Sequence, residues 1–266
     1  MKSYWKIVTG VVLCALAAAG TGCGRKRATI TCAGSTAFQP FAEKLAEELM
    51  AKRNDIAITV QGGGSAVGVQ SALSGAAQIG MADLVNLPPE AKALTSVVVA
   101  RDGIAMVVHP SNPVGNLTTE QVRGIFNGAI RNWKDIGGKD APITVVSREA
   151  GSGTRTSFEQ IVTGIHLTKD AVVQDSNGTI RETVANDANA VGYLTHGVIN
   201  EKVKAVTVDG KDCTMEAIMA GAYKLVRPVF FLTKGAPDGV AKDFIVHVLS
   251  AEGQAIIKKN GLIPAK

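Results

Sequence analysis

Ser147-Arg-Glu-Ala-Gly-Ser-Gly-Thr-Arg155 lies between a β-like run at 143–146 and a helix-like run at 156–163, so its glycines, hydroxyls and the Arg148 guanidinium fall on a strand-to-helix turn. Such a turn suits an anion. The first amides of a helix lack intrahelical partners and stand at the positive end of the macrodipole, and Gly151 and Gly153 let the backbone approach closely. Arg155 sharpens the reading, because a cation in the first helical turn opposes the dipole unless an anion, or Glu159 four residues on, offsets it. A Gly/Ser loop with an ordinary N-cap fits the same residues, so the turn alone leaves both readings open.

Three further turns repeat the arrangement. A strand-like run at 29–32 leads through Ala33-Gly-Ser-Thr-Ala37 into a run with Phe38, Phe41, Ala42, Leu45, Ala46 and Leu49 at helical spacing, with Pro40 in its first turn and Thr36 and Gln39 placed as a capping box. A second strand at 56–60 leads through Gln61-Gly-Gly-Gly-Ser-Ala-Val-Gly68 into a helix near 69–73, and a third at 77–81 ends at Ala82-Asp83. Strand, small polar turn and helix in alternation imply an α/β sheet with parallel strands, whose ligands collect at the carboxyl ends of those strands. Residues 97–100 and 103–108 are β-like, and His109-Pro-Ser-Asn-Pro113 reads as a break at a domain crossing. Beyond it come helical spacing at 117–126 with Thr119 as cap, a turn region holding Trp133, a second α/β set over 143–208, a strand at 229–232, and a closing helix pair or single long helix at 239–259.

At the other end of the chain, Lys2 and Lys6 precede an apolar run at 7–19 that is too short to span a membrane and has the layout of a secretory signal peptide. Small residues then lead to Cys23. This resembles a bacterial lipobox, with Gly20 where Leu is usual, so lipidation of Cys23 and ordinary signal-peptidase cleavage both remain open. Arg25, Lys26 and Arg27 form a basic tether suited to anionic head groups. The full chain carries 28 Lys+Arg against 23 Asp+Glu, but five of the basic residues and no acid fall within 1–27, which leaves 23 against 23 from Ala28 onward. The pI near 9.0 therefore belongs to the leader. Nucleic acid is excluded as a partner on that ground and by the lack of a basic stripe interleaved with aromatics. Cys32 and Cys213 are the cysteines of the mature part and read as buried thiols, with a bridge between them in an exported protein as the alternative. The four histidines show no metal-ligand spacing, so neither a metal nor another cofactor is expected.

With those residues laid out, the chain resembles the phosphate-binding proteins of phosphate ABC transporters, a family of periplasmic-type substrate-binding proteins. Gly34-Ser-Thr-Ala-Phe-Gln-Pro40, Gly63-Gly-Ser-Ala-Val-Gly68, Leu117-Thr-Thr-Glu-Gln-Val-Arg-Gly-Ile-Phe126, Asn132-Trp-Lys-Asp-Ile-Gly-Gly138, the opening turn, Val191-Gly-Tyr193, Arg227-Pro228 and Leu249-Ser-Ala-Glu-Gly-Gln254 match in order. Each is weak alone; the ordered set is strong. The resemblance implies a two-lobed α/β fold of the type II periplasmic-binding-protein kind, each lobe a mixed sheet flanked by helices. Lobe I would be 28–108 with 228–266, lobe II 109–227, and the ligand cleft lies between them. It also implies no enzymatic activity, inorganic phosphate as ligand, ABC permease subunits as partners, a monomer, and an exported protein held on the outer side of the cytoplasmic membrane through lipid on Cys23.

Carried over by motif, the anion would be met by Ser35, Thr36, the amide of Ala37, Ser65 and Asp83 from lobe I, and by Arg148, Ser152, Gly153 and Thr154 from lobe II. Arg148 offers a planar fork to two oxygens while hydroxyls and helix-start amides donate to the others. Asp83 is the informative exception. A carboxylate facing an anion is repulsive unless the anion carries a proton that it can accept; hydrogen phosphate has one at neutral pH and sulfate does not, so Asp83 would select against sulfate. Asp at the end of a strand also fits a helix N-cap. Glu149 reads as a partner of Arg148 or Arg155, or as a plain surface residue, and Trp133 as packing. Sulfate, molybdate and a phosphate sensor are the rivals within the binding class. A serine hydrolase is the rival outside it: neither Ser65 nor Ser152 sits in a Gly-x-Ser-x-Gly elbow, no triad partner is placed by the sequence, and no P-loop run occurs.

Overall fold

A computed structural model describes residues 27–265, and the leader with Cys23 lies outside them. The alternation begins with β1 (Ala28–Gly34), α1 (Gln39–Lys52), β2 (Ile56–Gly63), α2 (Ser65–Ser74) and β3 (Ile79–Asp83), and β1 lies parallel to both β2 and β3. Helix α1 buries Phe41, Ala42, Leu45, Ala46 and Leu49, the stripe expected from their spacing. The capping box read at Thr36 and Gln39 does not form. The helix starts only at Gln39, the Ser35 hydroxyl takes the Phe38 amide instead, and the Gln39 side chain turns along the helix to Glu43. Helix α2 packs on the sheet through glycines: a Cβ on Gly68 would stand 2.2 Å from the Met81 carbonyl oxygen, and one on Gly80 would stand 2.2 Å from that of Gly68.

Strand β4 (Thr95–Val108) is one unbroken 14-residue strand, not the two runs read from the sequence. Its first part pairs antiparallel with β10 (Val226–Thr233). The rest, from Ile104 to Val108, pairs with β8 (Ala190–Thr195) and β9 (Lys204–Val208). The intervening second set comprises β5 (Asn116–Leu117), α3 (Thr119–Phe126), β6 (Thr144–Arg148), α4 (Gly153–Ile161), β7 (Val172–Gln174) and α5 (Asn177–Asn186), with α6 (Met215–Met219) after β9. Thr118, one residue earlier than expected, caps α3 in a capping box with Gln121. The chain closes with α7 (Gly239–Leu249), α8 (Ala251–Lys259) and β11 (Ile263–Pro264); the two helices are separated at Ser250, whose hydroxyl caps the second.

Sheet pairing runs in the order β2-β1-β3-β10-β4-β8-β6-β7, so β4 and β10 are the strands through which the two α/β sets are joined. Each set has its own apolar core. Phe38, Leu45, Phe231 and Phe244 lie in the first. In the second, Phe126, Phe158 and Tyr193 form an aromatic cluster, with Phe158 stacked on Tyr193 at 4.3 Å between ring centroids. Trp133 is buried there and donates to the Asn189 carbonyl, the packing role expected of it. Cys32 and Cys213 are buried free thiols in different cores, and burial pushes the Cys32 thiol up to about 12. Among the described residues, no helix is long and apolar enough to cross a membrane, and no cluster of His, Cys, Asp and Glu could hold a metal ion.

Candidate functional site

The carboxyl ends of β1, β2 and β3 in the first set, and of β6 and β7 in the second, point to one place. The sheet order makes it so: β1 and β3 are neighbours whose connections run to opposite sides, which opens a crevice at the switch point, and β6 is flanked by β7 and β8 in the same way.

Strand β6 delivers Arg148, which is 1% exposed. The Tyr193 hydroxyl bonds Ser147 Oγ at 2.8 Å and accepts from the Arg148 amide at 3.4 Å, fixing the end of the strand. The Glu149 carboxylate takes Nε and Nη2 of Arg148, both at 2.8 Å, and Nη2 also donates to Thr36 Oγ1 and to the Asp175 carbonyl, each at 3.1 Å. Nη1 is buried with no hydrogen-bond partner. A buried donor left in that state costs roughly 1–3 kcal/mol, more when charged, so an acceptor there would be strongly favoured. Glu149 is thus the partner of Arg148, as one of its expected readings had it. Arg155 is accounted for otherwise: its Nε donates to Glu159 at 2.7 Å and Nη1 to the Arg148 carbonyl at 3.0 Å, which offsets its unfavourable place near the helix start. Ser152 caps α4 by accepting from the Arg155 amide at 3.2 Å, leaving its own O–H free to donate beside the first two helical residues, Gly153 and Thr154.

From the first set, Ser35, Thr36 and Ala37 form the turn between β1 and α1, and Thr36 reaches Arg148 directly. Ser65 opens α2 after Gly64, which adopts φ 89° and lies so close to the Gly151 carbonyl that an added Cβ would stand 2.8 Å from it. The Ser65 hydroxyl donates to Asp83 Oδ1 at 3.0 Å and accepts from the Asp83 amide at 3.1 Å. Its single proton is therefore directed at Asp83, and it must rotate to donate to a ligand. Contacts between the two sets close the crevice: the Ala66 amide donates to the Gly151 carbonyl at 3.2 Å, and Ser157 Oγ donates to the Asp83 carbonyl at 3.3 Å and accepts from the Val85 amide at 3.2 Å. A cavity of about 430 Å³ lies alongside, lined among others by Ser65, Ala66, Leu84, Ala150, Gly151 and Thr156.

Sequence reasoning missed the buried charges behind Asp83. Arg227 on β10 is fully buried, with Nη1 2.5 Å from Asp83 Oδ2 and Nη2 2.7 Å from Asp102 Oδ2. Thr195 Oγ1 donates to the other Asp102 oxygen. Burial raises the Asp102 carboxyl above its ordinary range, against the lowering effect of Arg227 and Thr195. Asp83 is thus no helix N-cap: it ends a strand, its Oδ1 accepts from Ser65, and its Oδ2, in ion-pair contact with Arg227, is buried without a hydrogen-bond donor. Removing one member of such a group leaves a buried charge uncompensated and costs about 3–5 kcal/mol. The hint in the sequence was Arg227-Pro228 and Asp102 inside otherwise apolar strands.

A crevice between two α/β halves joined by shared strands, walled by helix-start amides and a buried guanidinium, defines the class of bilobal binding proteins. The PBP superfamily domain model matches residues 19–252. The phosphate-binding protein PstS of Bacillus subtilis (strain 168) is 34% identical over 241 residues, covering 89% of this chain and 80% of the relative. A substrate-binding protein ascribed to a phosphate ABC transporter of Clostridium perfringens, solved with bound phosphate, is 40% identical with a TM-score of 0.87, covering 90% of this chain and 100% of its own. An ABC-type phosphate transport receptor from Vibrio cholerae is 35% identical with a TM-score of 0.74, covering 88% and 99%. The chain belongs to the PBP superfamily and, within it, to the PstS family.

Proposed function

We infer that this protein captures inorganic phosphate in the crevice between its two α/β halves and delivers it to an ABC permease, without catalysing a reaction. The observation that carries this is the buried Arg148 Nη1, a charged donor with no acceptor, on the strand end that leads through a short turn into α4. The bonded neighbours of Arg148 supply orientation: Glu149 and the Asp175 carbonyl hold the guanidinium plane, so its remaining edge is presented to an oxyanion without further ordering. Thr36, the Ala37 amide, Ser35 and Ser65 complete the shell from the first half, and Ser152, Gly153 and Thr154 from the second. Asp83 accepts the proton of hydrogen phosphate and rejects sulfate and molybdate. We further place the lobes at 28–108 with 228–266 and at 109–227, hinged on β4 and β10, and assign the protein as a monomer held outside the cytoplasmic membrane by lipid on Cys23. Anion contacts from both lobes favour the closed form over the open one.

Arg148→Ala tests the assignment. Glu149 is about a third exposed and can be rehydrated when its partner goes, so the variant is expected to keep its fold by circular dichroism. Loss of a buried charged contact is worth about 2–5 kcal/mol, so phosphate affinity is expected to fall at least about thirtyfold. Unchanged affinity would place the site elsewhere.

A further inference from the structure

The Arg227 guanidinium bridges two carboxylates. Nη1 lies 2.5 Å from Asp83 Oδ2 and donates to the Asp83 carbonyl at 3.3 Å, while Nε at 3.0 Å and Nη2 at 2.7 Å both donate to Asp102 Oδ2. Asp102 is held in turn by the Thr195 hydroxyl, and the Thr195 amide donates to Asn177 Oδ1 at 3.0 Å. An unbroken buried chain thus runs from Asp83 on β3 through β10, β4 and β8 to the first residue of α5. Stability does not account for it, because replacing buried ion pairs with well-packed apolar residues is often neutral or stabilising. A carboxylate that must face an anion does account for it. Only a carboxylate held in one direction presents a lone pair to a proton on the anion and repels an anion that lacks one.

We propose that Arg227 is the positioning residue for anion selectivity: it fixes where the Asp83 carboxylate points, so that the site admits an oxyanion carrying a proton and refuses one that does not. This rests on the reading of the crevice as a phosphate site. Asp102 takes two of the three guanidinium nitrogens on a single oxygen, which keeps Arg227 on the floor of the site and leaves one nitrogen for Asp83. Arg227 on β10 and Asp102 on β4 are the charges packed around Asp83. Helix α2 presents the uncharged Ser65, and α4 the uncharged Gly153 and Ser157. Arg148, Glu149, Arg155 and Glu159 are the charged groups on the facing turn and helix.

The test titrates phosphate and sulfate between pH 5 and 8 into the leaderless wild type, Arg227→Lys, and the double variant Arg227→Gln with Asp102→Asn. Wild type is expected to bind phosphate and exclude sulfate throughout. The double variant, which leaves no second unpaired carboxylate, is expected to gain measurable sulfate affinity, since its Asp83 is no longer held in one direction. Arg227→Lys keeps the charge without the fork that serves both carboxylates, and its phosphate-to-sulfate ratio is expected to fall at least about tenfold below wild type. A merely structural role would weaken both anions together and leave the ratio unchanged. Arg227→Lys with the wild-type ratio at every pH overturns the proposal, whatever the double variant does. Wild type that fails to bind phosphate overturns the reading of the site itself.

Discussion

Asp83 and Arg148 are opposite charges delivered by the ends of two strands, and the proposed function gives them different work. Arg148 supplies attraction through a donor that has no partner in the protein, whereas Asp83 already has Ser65 on one oxygen and Arg227 on the other. Replacing Asp83 with Asn tests the second role. An amide can still accept the P–OH proton through its oxygen, and by rotating it can donate to an unprotonated oxygen. Asp83→Asn is therefore expected to bind phosphate within about tenfold of wild type while gaining measurable sulfate affinity, read by competition between the two anions; continued exclusion of sulfate would remove Asp83 as the discriminator. Arg148 was readable as a candidate because it ends a strand beside glycines and hydroxyls, and Asp83 only because it ends a strand at a position the family resemblance marks. Arg227 and Asp102 were not. Their neighbours in sequence are strand residues, and only the pairing of β10 with β4 brings Arg227 opposite Asp102.

Turns decide what the elements can do. The start of α4 passes against α2 and β3 so closely that a Cβ on Gly153 would stand 2.1 Å from Ser65 Oγ and 2.6 Å from the Asp83 carbonyl, whereas one on Gly151 would meet only the Ala66 methyl at 3.6 Å. Gly153 is the first residue of the helix and has no left-handed backbone, so alanine there opposes only the approach of the two halves. Overpacking of that kind costs about 1–3 kcal/mol, and Gly153→Ala is expected to weaken phosphate about 5- to 150-fold without lowering the melting temperature of the unliganded protein. Gly151→Ala is expected to stay within about threefold of wild type. Equal affinities for the two variants would mean that the halves need not meet as closely as they do here. The sequence showed that both glycines allow close approach; which one is in contact depends on α2 and β3, distant in the chain. The same limit explains the capping box misread at Thr36. Local spacing placed a cap there, but the hydroxyl turns to Arg148, a partner 112 residues away.

At the scale of the molecule, alternating strand and helix patterns made the α/β class readable, and glycine-rich turns marked the carboxyl ends where a ligand belongs. The way the halves are joined was less readable. Residues 97–100 and 103–108 read as two strands because Arg101 and Asp102 interrupt the apolar run, yet β4 continues through them, since Asp102 is neutralised by Arg227 on the adjacent strand. One strand therefore belongs to both pairing sets, and the bridge between them passes through the charges that hold Asp83. The proposed site makes one prediction for the intact binding domain. Isothermal titration calorimetry of the leaderless protein with phosphate, sulfate and molybdate at neutral pH should give tight one-to-one binding of phosphate and no detectable heat of binding for the other two. Sulfate or molybdate bound as tightly as phosphate, or phosphate not bound at all, would contradict the account.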